Sequence, residues 1–240
     1  MSRQLTSGVL GRRKFPTKGL FSYWKLDGTS GPVIDSWGDA DGSNDFGATR
    51  GVEGKIGNCF SFVGSGANNQ NNQRIVLPNN SDAIRNVGQI TMAAWIKPTY
   101  NNRSEFILSY TNQAGSGARM QIGMSSGSFV IAGRRRDVDN YTTFNSGYTV
   151  DVSNWQFVVG VVRYDIGQAY TYVNGELVNS GSFLTSGLTD DTSSGASAIG
   201  SQGTDTFGYT GLIDEVGIWQ RALTQEEITK LYNNGNGITL

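Results

Sequence analysis

Acidic side chains are the groups of this 240-residue chain that could do chemistry, because the sequence contains no histidine. The absence of histidine excludes Ser-His-Asp and Cys-His nucleophile systems and every His-ligated zinc site. The hydrolytic chemistry that remains is glycoside cleavage, which needs two carboxyl groups about 5 to 9.5 Å apart. The aspartates and glutamates are therefore the first candidates to consider.

Asp214 and Glu215 are adjacent in an apolar, strand-like segment. Successive residues of a strand project to opposite faces, so we expect these two carboxyls to point apart. Other acidic pairs lie in polar segments typical of turns, where solvated acids are ordinary. These pairs are Asp137 with Asp139, and Asp190 with Asp191. The sequence therefore predicts that this chain is not an enzyme.

Many short β-strands must position these groups. The chain has 33 glycines and only 4 prolines, and its short apolar runs are separated by Gly, Asn, Asp and Ser, a composition typical of strands joined by turns. Ile90–Pro98 is apolar on both faces, which predicts a central strand. Asn174-Gly175 between two β-rich runs predicts a type I′ hairpin. In the first strand, alternation places Phe21 and Tyr23 on the same face.

The residues from Gly211 to Gly235, GLIDEVGIWQRALTQEEITKLYNNG, join a buried strand to a capped helix. Thr224 opens the helix, and Glu227 completes an S/T-x-x-E capping box. Gly235 is expected to take the left-handed conformation that ends it.

This segment resembles the laminin-G-like branch of the concanavalin A-like lectin and glucanase superfamily. Other blocks similar to that family extend over residues 19 to 235: GLFSYWKLD, GKIGNCFSFVG, RIVLPN, ITMAAWIKP, NWQFVVGVVRY and AYTYVNGELV. The resemblance implies an all-β fold, a concanavalin A-like jelly-roll sandwich of two antiparallel sheets with one short C-terminal helix. We assign residues 19–240 to this single domain and residues 1–18 to an extended N-terminal arm.

The resemblance also bears on catalysis and on metal binding. Glucanases of the superfamily place acids at alternate positions of one strand, E-x-D-x-E, whereas Leu212 and Val216 occupy the flanking positions here. Family members often hold one structural Ca²⁺, and the positions similar to its ligands are Asp27, Asp35 and Asp214. The alternative for Asp214 is to accept hydrogen bonds from backbone amides of a neighbouring loop. Both interpretations stay open from sequence.

Sugar binding would need exposed aromatic side chains. Most tryptophans lie in strand-like segments and are predicted to be core: Trp24, Trp95, Trp155 and Trp219. The candidate ligand-binding residues lie in loops or at strand ends: Trp37, Tyr100, Tyr110 and Tyr141. The basic run Gly133–Asp137 is either a contact for an acidic glycan or partner, or a solvated hairpin end.

The first eighteen residues carry basic side chains without a hydrophobic period, so they lack the apolar surface to fold alone. The candidate partner-binding residues of this arm are Arg3, Arg12, Arg13 and Lys14. A basic arm before a laminin-G-like module, without an apolar signal segment, resembles bacteriophage virion proteins. We therefore expect the arm to bind other virion proteins and the domain to project from the particle.

Charge and hydropathy limit the classes of partner that this chain is expected to bind. A formal net charge of −1 offers no general attraction to nucleic acid or to an anionic membrane, and no apolar run has membrane-spanning length. The single cysteine, Cys59, is predicted to be a small buried hydrophobe. The expected function is non-catalytic virion decoration or attachment, as a homo-oligomer that adheres to proteins or host glycans. The alternatives are a carbohydrate-binding module at a bacterial cell surface and, third, a polysaccharide-cleaving enzyme.

Overall fold

The computed structural model describes residues 16–65, 72–78, 81–99, 102–111, 117–190, 196–203 and 206–240. Some predicted site residues lie outside this described part: Arg3, Arg12, Arg13, Lys14 and Tyr100. No structural statement is made about them.

The described part consists of fourteen strands, one α-helix and two 3-10 turns. The strands are β1 Leu20–Trp24, β2 Thr49–Glu53, β3 Asn58–Phe62, β4 Ile75–Leu77, β5 Gln89–Pro98, β6 Glu105–Thr111, β7 Arg119–Ser125, β8 Ser128–Arg134, β9 Thr142–Thr149, β10 Gln156–Arg163, β11 Gln168–Val173, β12 Glu176–Ser182, β13 Ser197–Ile199 and β14 Gly211–Trp219. The helix α1 is Gln225–Tyr232, and the 3-10 turns are Ser81–Ile84 and Asn233–Gly235.

The strands form two antiparallel sheets, which confirms the predicted all-β sandwich. The eight-stranded sheet has the order β12-β11-β10-β5-β14-β3-β2, and β1 pairs with the far end of β14. The six-stranded sheet has the order β4-β13-β6-β7-β8-β9. Several neighbours are consecutive hairpin strands, but others are distant in sequence, such as β14 beside β5, so the fold also depends on long-range pairing.

The main core lies between the sheets. It is built from alternate residues of strands in both layers, among them Ile96, Val158, Ile122 and Ile131, all fully buried. Stacked sheets pack about 10 Å apart, and such interdigitating aliphatic side chains fill that space.

A second core covers the outer face of the eight-stranded sheet. Here α1 and the C-terminal tail pack on side chains that point away from the first core, including Trp95, Trp219 and Phe157. The helix contributes Ile228 and Leu231, which are its buried residues. Strands β5, β10 and β14 are therefore buried on both faces, as the uninterrupted apolar run of β5 predicts. No helix in the part of the chain described by the structure is long and apolar enough to cross a membrane.

Two local turn and cap predictions are confirmed. Asn174 and Gly175 have φ values of 52° and 84° in the β11–β12 hairpin, the positive angles that a type I′ turn requires. Thr224 and Glu227 form both hydrogen bonds of the capping box. Gly235 adopts the expected left-handed conformation at φ 84°, but α1 ends two residues earlier, at its C-cap Asn233, which is itself left-handed at φ 49°. Asn tolerates this region through local hydrogen bonding of its short side chain.

The expected alternation in β1 is interrupted by a register shift between Leu20 and Ser22. Phe21 therefore packs against the core between the sheets, whereas Tyr23 belongs to the core under α1. The prediction that these two share a face is wrong, because the irregularity reverses the side-chain alternation.

The described end of the arm is tied to the domain. Trp219 Nε1 donates to the Pro16 carbonyl at 2.6 Å, and Arg221 Nε donates to the Lys18 carbonyl at 2.6 Å. Residues Pro16–Lys18 therefore belong structurally to the sandwich, at the end of β14.

The loop between β1 and β2 is organised by one buried carboxylate. Asp35 Oδ1 accepts from the amides of Tyr23, Trp37 and Gly38, and Oδ2 accepts from the amide of Ala40. Several backbone donors that have no strand partner are satisfied in this way.

We predict that Asp35→Ala lowers the free energy of unfolding by about 3 kcal/mol, because it leaves partly buried amides without an acceptor. Asp39→Ala in the same loop is the matched control, since Asp39 is exposed. Denaturant unfolding of both variants measures the difference. Equal stability of the two variants would contradict the role assigned to Asp35.

Candidate ligand-binding site

The outer face of the six-stranded sheet carries a row of small and polar side chains. Strand register places Ala198, Ser109, Gln121, Ala132 and Thr143 side by side on β13, β6, β7, β8 and β9. Their neighbours in sequence, such as the methionines of β7, face the core. This row, called the polar row below, is the centre of the candidate site.

Gln121 is the hub of a hydrogen-bond network on the polar row. Its Nε2 donates to Ser109 Oγ at 2.5 Å, while its Oε1 accepts from Tyr141 Oη at 2.5 Å and from Gln202 Nε2 at 3.3 Å. Gln121 is fully buried, so the network satisfies an amide that would otherwise be costly to bury. It also fixes the orientation of Tyr141 and Gln202 before any ligand arrives.

Tyr141 is the most exposed member of the network, with 41 % of its surface accessible. Its hydroxyl end is nevertheless enclosed beside Gln121, and burial raises the pKa of Tyr141 to about 12, partly offset by Arg119. The Arg119 guanidinium lies 5.5 Å from the ring centre, within cation–π range. The ring is thus held from two sides while its outer edge meets solvent.

An aromatic pair borders the polar row. A Cβ at Gly123 would lie 2.8 Å from Phe106 Cδ1, so the Phe106 ring covers this glycine next to Gln121 in β7. Phe207 packs edge-on against Phe106, with ring centres 5.9 Å apart. Phe207 has φ 52°, a rare conformation for a bulky residue that often marks functional loops.

The site therefore combines hydroxyl, amide and aromatic groups without a carboxylate on the polar row. Thr206 extends the polar groups, since its hydroxyl donates to Gln202 Oε1 at 2.9 Å. Ser109, Gln121, Ala132 and Ala198 of the polar row are buried, so the groups that can meet a hydroxyl-rich ligand are those at its border, Tyr141, Gln202, Thr206 and Phe207. Of the members of the site only Tyr141 was predicted from sequence. Gln121 interrupts the run of methionines and isoleucine in β7, a signal for the outward face but not for function.

Comparison with known protein families matches residues 69–229, more than half of the chain, to the laminin G family of the concanavalin A-like lectin/glucanases superfamily. The chain belongs to this family. A search of curated protein sequences gives no match.

Solved structures share the laminin-G-like fold at low sequence identity. Domain 4 of AbnA, a GH43 extracellular arabinanase from Geobacillus stearothermophilus in complex with arabinotriose, has a TM-score of 0.63 and 19 % identity, over 88 % of this chain and 97 % of that chain. A botulinum neurotoxin type C structure, described for its interaction with two ganglioside molecules, has a TM-score of 0.67 and 15 % identity, over 90 % of this chain and 51 % of that chain. The binding domain of botulinum neurotoxin DC in complex with rat synaptotagmin II has a TM-score of 0.69 and 16 % identity, over 90 % of this chain and 52 % of that chain. This chain spans about half the length of these neurotoxin chains.

Of the three aspartates predicted as calcium ligands, Asp27 lies near enough to Asp214 to raise its pKa, and each of the three accepts backbone amides. Asp35 uses both oxygens for loop amides, as described above, and Asp27 Oδ1 accepts from the Asn58 amide at 2.8 Å. Asp214 Oδ2 accepts from the amides of Lys55 and Ile56 at 2.8 and 3.0 Å. Within the described ranges no group of three Asp, Glu or Cys side chains could hold a metal ion. The alternative for Asp214, an acceptor for loop amides, is what the structure has, and calcium binding stays a prediction without a site.

Asp214 and Glu215 do not point to opposite faces, contrary to expectation. Asp214 is paired in register with Trp95, and Glu215 lines a small cavity together with Trp95 and Trp219, so both lie under α1. The reason is a β-bulge between Asp214 and Gly217, where Glu215 adopts φ 50°. Both side chains are buried, so neither carboxyl is exposed on the surface of a sheet.

The remaining sequence predictions have mixed outcomes. Trp37 is 50 % exposed, as expected, on the loop that Asp35 organises. Tyr110 is fully buried, so its prediction as a surface ligand contact is wrong, because it faces inward from the middle of the sandwich core. Trp24, Trp95 and Trp219 are core, whereas Trp155 is half-buried. Cys59 is buried as predicted, and burial followed by the nearby Asp214 raises the pKa of its thiol to about 12.

Burial shifts the pKa values of Asp214 and Glu215, the two acids of β14. Desolvation raises the pKa of Asp214 to about 7 against the opposing amides of Ile56 and Lys55. It raises the pKa of Glu215 to about 8, with a smaller opposing contribution from the Thr239 hydroxyl. Each carboxyl is therefore held protonated at pH values where the unfolded chain would ionise it.

We predict that Glu215→Gln flattens the pH dependence of stability between about pH 4.5 and 8. The native Glu215 binds its proton more tightly than the unfolded chain does, so its contribution is fully present below the unfolded pKa and is lost as pH rises through the folded pKa. The wild-type free energy of unfolding is expected to fall, relative to the variant, by up to about 1.4 kcal/mol per pH unit in this window. Urea unfolding across the pH range measures it, with Glu53→Gln on the exposed edge strand β2 as control. Parallel profiles for wild type and Glu215→Gln would show that this carboxyl titrates normally.

Proposed function

We propose that this protein is a non-catalytic carbohydrate-binding protein whose ligand lies on the outer face of the six-stranded sheet. The observation that carries the proposal is the Gln121 network, which holds Tyr141 and Gln202 in fixed orientations at the solvent boundary. Positioning groups in advance reduces the entropy that binding must overcome.

The chemistry of the site fits a saccharide better than an apolar or a strongly charged ligand. The accessible groups are the Tyr141 ring, the Gln202 amide, the Thr206 hydroxyl and the Phe207 ring. Saccharides present hydroxyls that both donate and accept, which match the amide and hydroxyl groups, and apolar ring faces, which match the aromatic rings.

The ligands of structurally similar proteins support the same class. The AbnA domain was solved with arabinotriose, and botulinum neurotoxin type C is described with two ganglioside molecules. Another neurotoxin binding domain was solved with a protein, rat synaptotagmin II, so protein adhesion is the second ligand class to test.

Tyr141→Ala is expected to weaken glycan binding about tenfold or more, because it removes the exposed ring that Gln121 and Arg119 position. Tyr141→Phe should lose less, since the ring stays but its hydrogen bond to Gln121 is gone. The measurement is a glycan array that includes arabino-oligosaccharides and ganglioside oligosaccharides, followed by calorimetric titration of the glycans that bind.

Trp37→Ala is the matched control for this experiment, because Trp37 is another exposed aromatic residue but belongs to the β1–β2 loop. Unchanged affinity in Trp37→Ala, with loss in Tyr141→Ala, supports the outer face of the six-stranded sheet. The reverse result would place the site at Trp37. A wild-type protein that binds no glycan on the array would refute carbohydrate binding.

For location, we propose the virion, with the basic residues of the arm as the attachment segment. The support is their composition, together with the anchoring of Pro16 and Lys18 at the end of β14. The arm therefore joins the domain at β14, a strand of the eight-stranded sheet, and the proposed glycan face belongs to the other sheet.

Deleting residues 1–15 is expected to prevent incorporation into phage particles while glycan affinity stays unchanged. The deletion keeps Pro16–Lys18, whose carbonyls accept from Trp219 and Arg221, so the sandwich retains these bonds. Replacing Arg3, Arg12, Arg13 and Lys14 by serine tests the charge alone. Quantitative immunoblots of purified particles measure incorporation. Unchanged incorporation of the deletion variant, or a protein found on the cell envelope and not on particles, would rule out the arm as a virion attachment segment.

A further inference from the structure

A cleft of about 580 Å³ lies beside the proposed glycan site, where the open edges of the two sheets meet. One wall is the β8–β9 connection and the first residue of β9, and the other is the last residue of β12 with the segment after it. The lining residues are Val138, Asp139, Asn140, Thr142, Ser182, Phe183, Leu184 and Thr185. Its volume is within the range of ordinary ligand pockets.

The walls of this cleft are cross-linked by Arg135, which is 6 % exposed. Its Nη1 donates to the Leu188 carbonyl at 2.8 Å, and its Nη2 donates to Thr185 Oγ1 at 3.4 Å. Its Nε lies 3.6 Å from Asp139 Oδ2. Within the basic run Gly133–Asp137, Arg135 is thus buried, whereas Arg136 and Asp137 are exposed, as in a solvated hairpin end. Arg135 fixes the width of the cleft before a ligand binds.

The polar side chains of the cleft that meet solvent are Asn140, which is exposed, and Thr142, which is partly exposed. The Asp139 side chain is 13 % exposed and lies near the charges of Arg135 and Arg136, at 3.6 and 3.7 Å. Its Oδ2 accepts no hydrogen bond within the described part of the chain. This oxygen is buried from solvent and faces the Arg135 guanidinium, so the carboxylate balances arginine charge in the wall of the cleft and is not open to a ligand.

The cleft and the proposed glycan site share one short segment. Tyr141 turns its hydroxyl to Gln121 on the outer sheet face, while the residues on either side of it, Asn140 and Thr142, line the cleft. This is the alternation of an extended chain, in which successive side chains point in opposite directions. Consecutive residues in extended chain advance about 3.3 Å, so the two sites are adjacent.

We propose that this cleft is a second saccharide subsite, and that the ligand is an oligosaccharide chain that crosses Tyr141 and occupies both places. The inference rests on the proposed carbohydrate binding. The unit in the cleft exchanges hydrogen bonds with Asn140 and Thr142, while its apolar face packs on Val138, which is 80 % exposed. This unit is uncharged, because the side chains that would hydrogen-bond to it are neutral and Asp139 is already paired with Arg135 and Arg136.

The test is a chain-length series of the neutral glycan class that binds best on the array, from one to eight units, measured by calorimetric titration. Wild-type affinity is expected to rise by about tenfold once the chain is long enough to reach the cleft. The double variant Asn140→Ala/Thr142→Val should lose that gain for long chains and bind short chains normally. Tyr141→Ala should weaken the binding of both short and long chains. Thr149→Val, the same change at the exposed far end of β9, is the matched control.

Each of the remaining outcomes would refute a specific part of the proposal. Equal affinity for short and long chains, or long-chain affinity that survives Asn140→Ala/Thr142→Val while Tyr141→Ala abolishes it, refutes the second subsite and leaves the first. Binding restricted to acidic glycans refutes the neutral occupant. A wild type that binds none of the array refutes both the subsite and the proposed function. Far-ultraviolet circular dichroism and melting temperature confirm that each variant is folded.

Discussion

Burial of the eight-stranded sheet on both faces is the constraint on which the rest of the structure depends. Its inner face packs against the six-stranded sheet, and its outer face is covered by α1 and the C-terminal tail. Because apolar side chains occupy both faces of β5 and β14, the centre of this sheet cannot present a solvent-exposed surface. The outer face of the six-stranded sheet carries the polar row instead, and Tyr141 is the exposed side chain beside its buried members.

The same constraint explains why acids in a glucanase-like position do not make a catalytic site here. Asp214 and Glu215 lie on the face that α1 covers, beside Trp95 and Trp219. Enclosure raises the pKa of both carboxyls, but it also keeps substrate away from them. Asp214 instead accepts the amides of the β2–β3 turn, a structural use of the carboxylate.

Predictions that involved a few consecutive residues succeeded, and the two that assumed unbroken side-chain alternation in β1 and β14 failed. The hairpin at Asn174-Gly175 and the capping box at Thr224 each involve a few consecutive residues, so their sequence signatures are complete. Two irregularities in register changed the faces of nearby side chains, at Phe21 and at Glu215. A bulge adds one residue and reverses the alternation after it, and no local pattern in these strands announces it.

The sequence by itself determined the fold class, the absence of histidine chemistry, the buried tryptophans and the capped helix. These follow from composition and from short periodic patterns, which act through local geometry and burial. Only the tertiary structure decided where the candidate site lies. Ser109, Gln121, Tyr141 and Gln202 meet because four separate segments come together across or beside one sheet. Likewise, Asp214 became an amide acceptor because the distant β2–β3 turn folded onto it. Such contacts depend on long-range register and packing, which a single sequence does not encode in any local pattern.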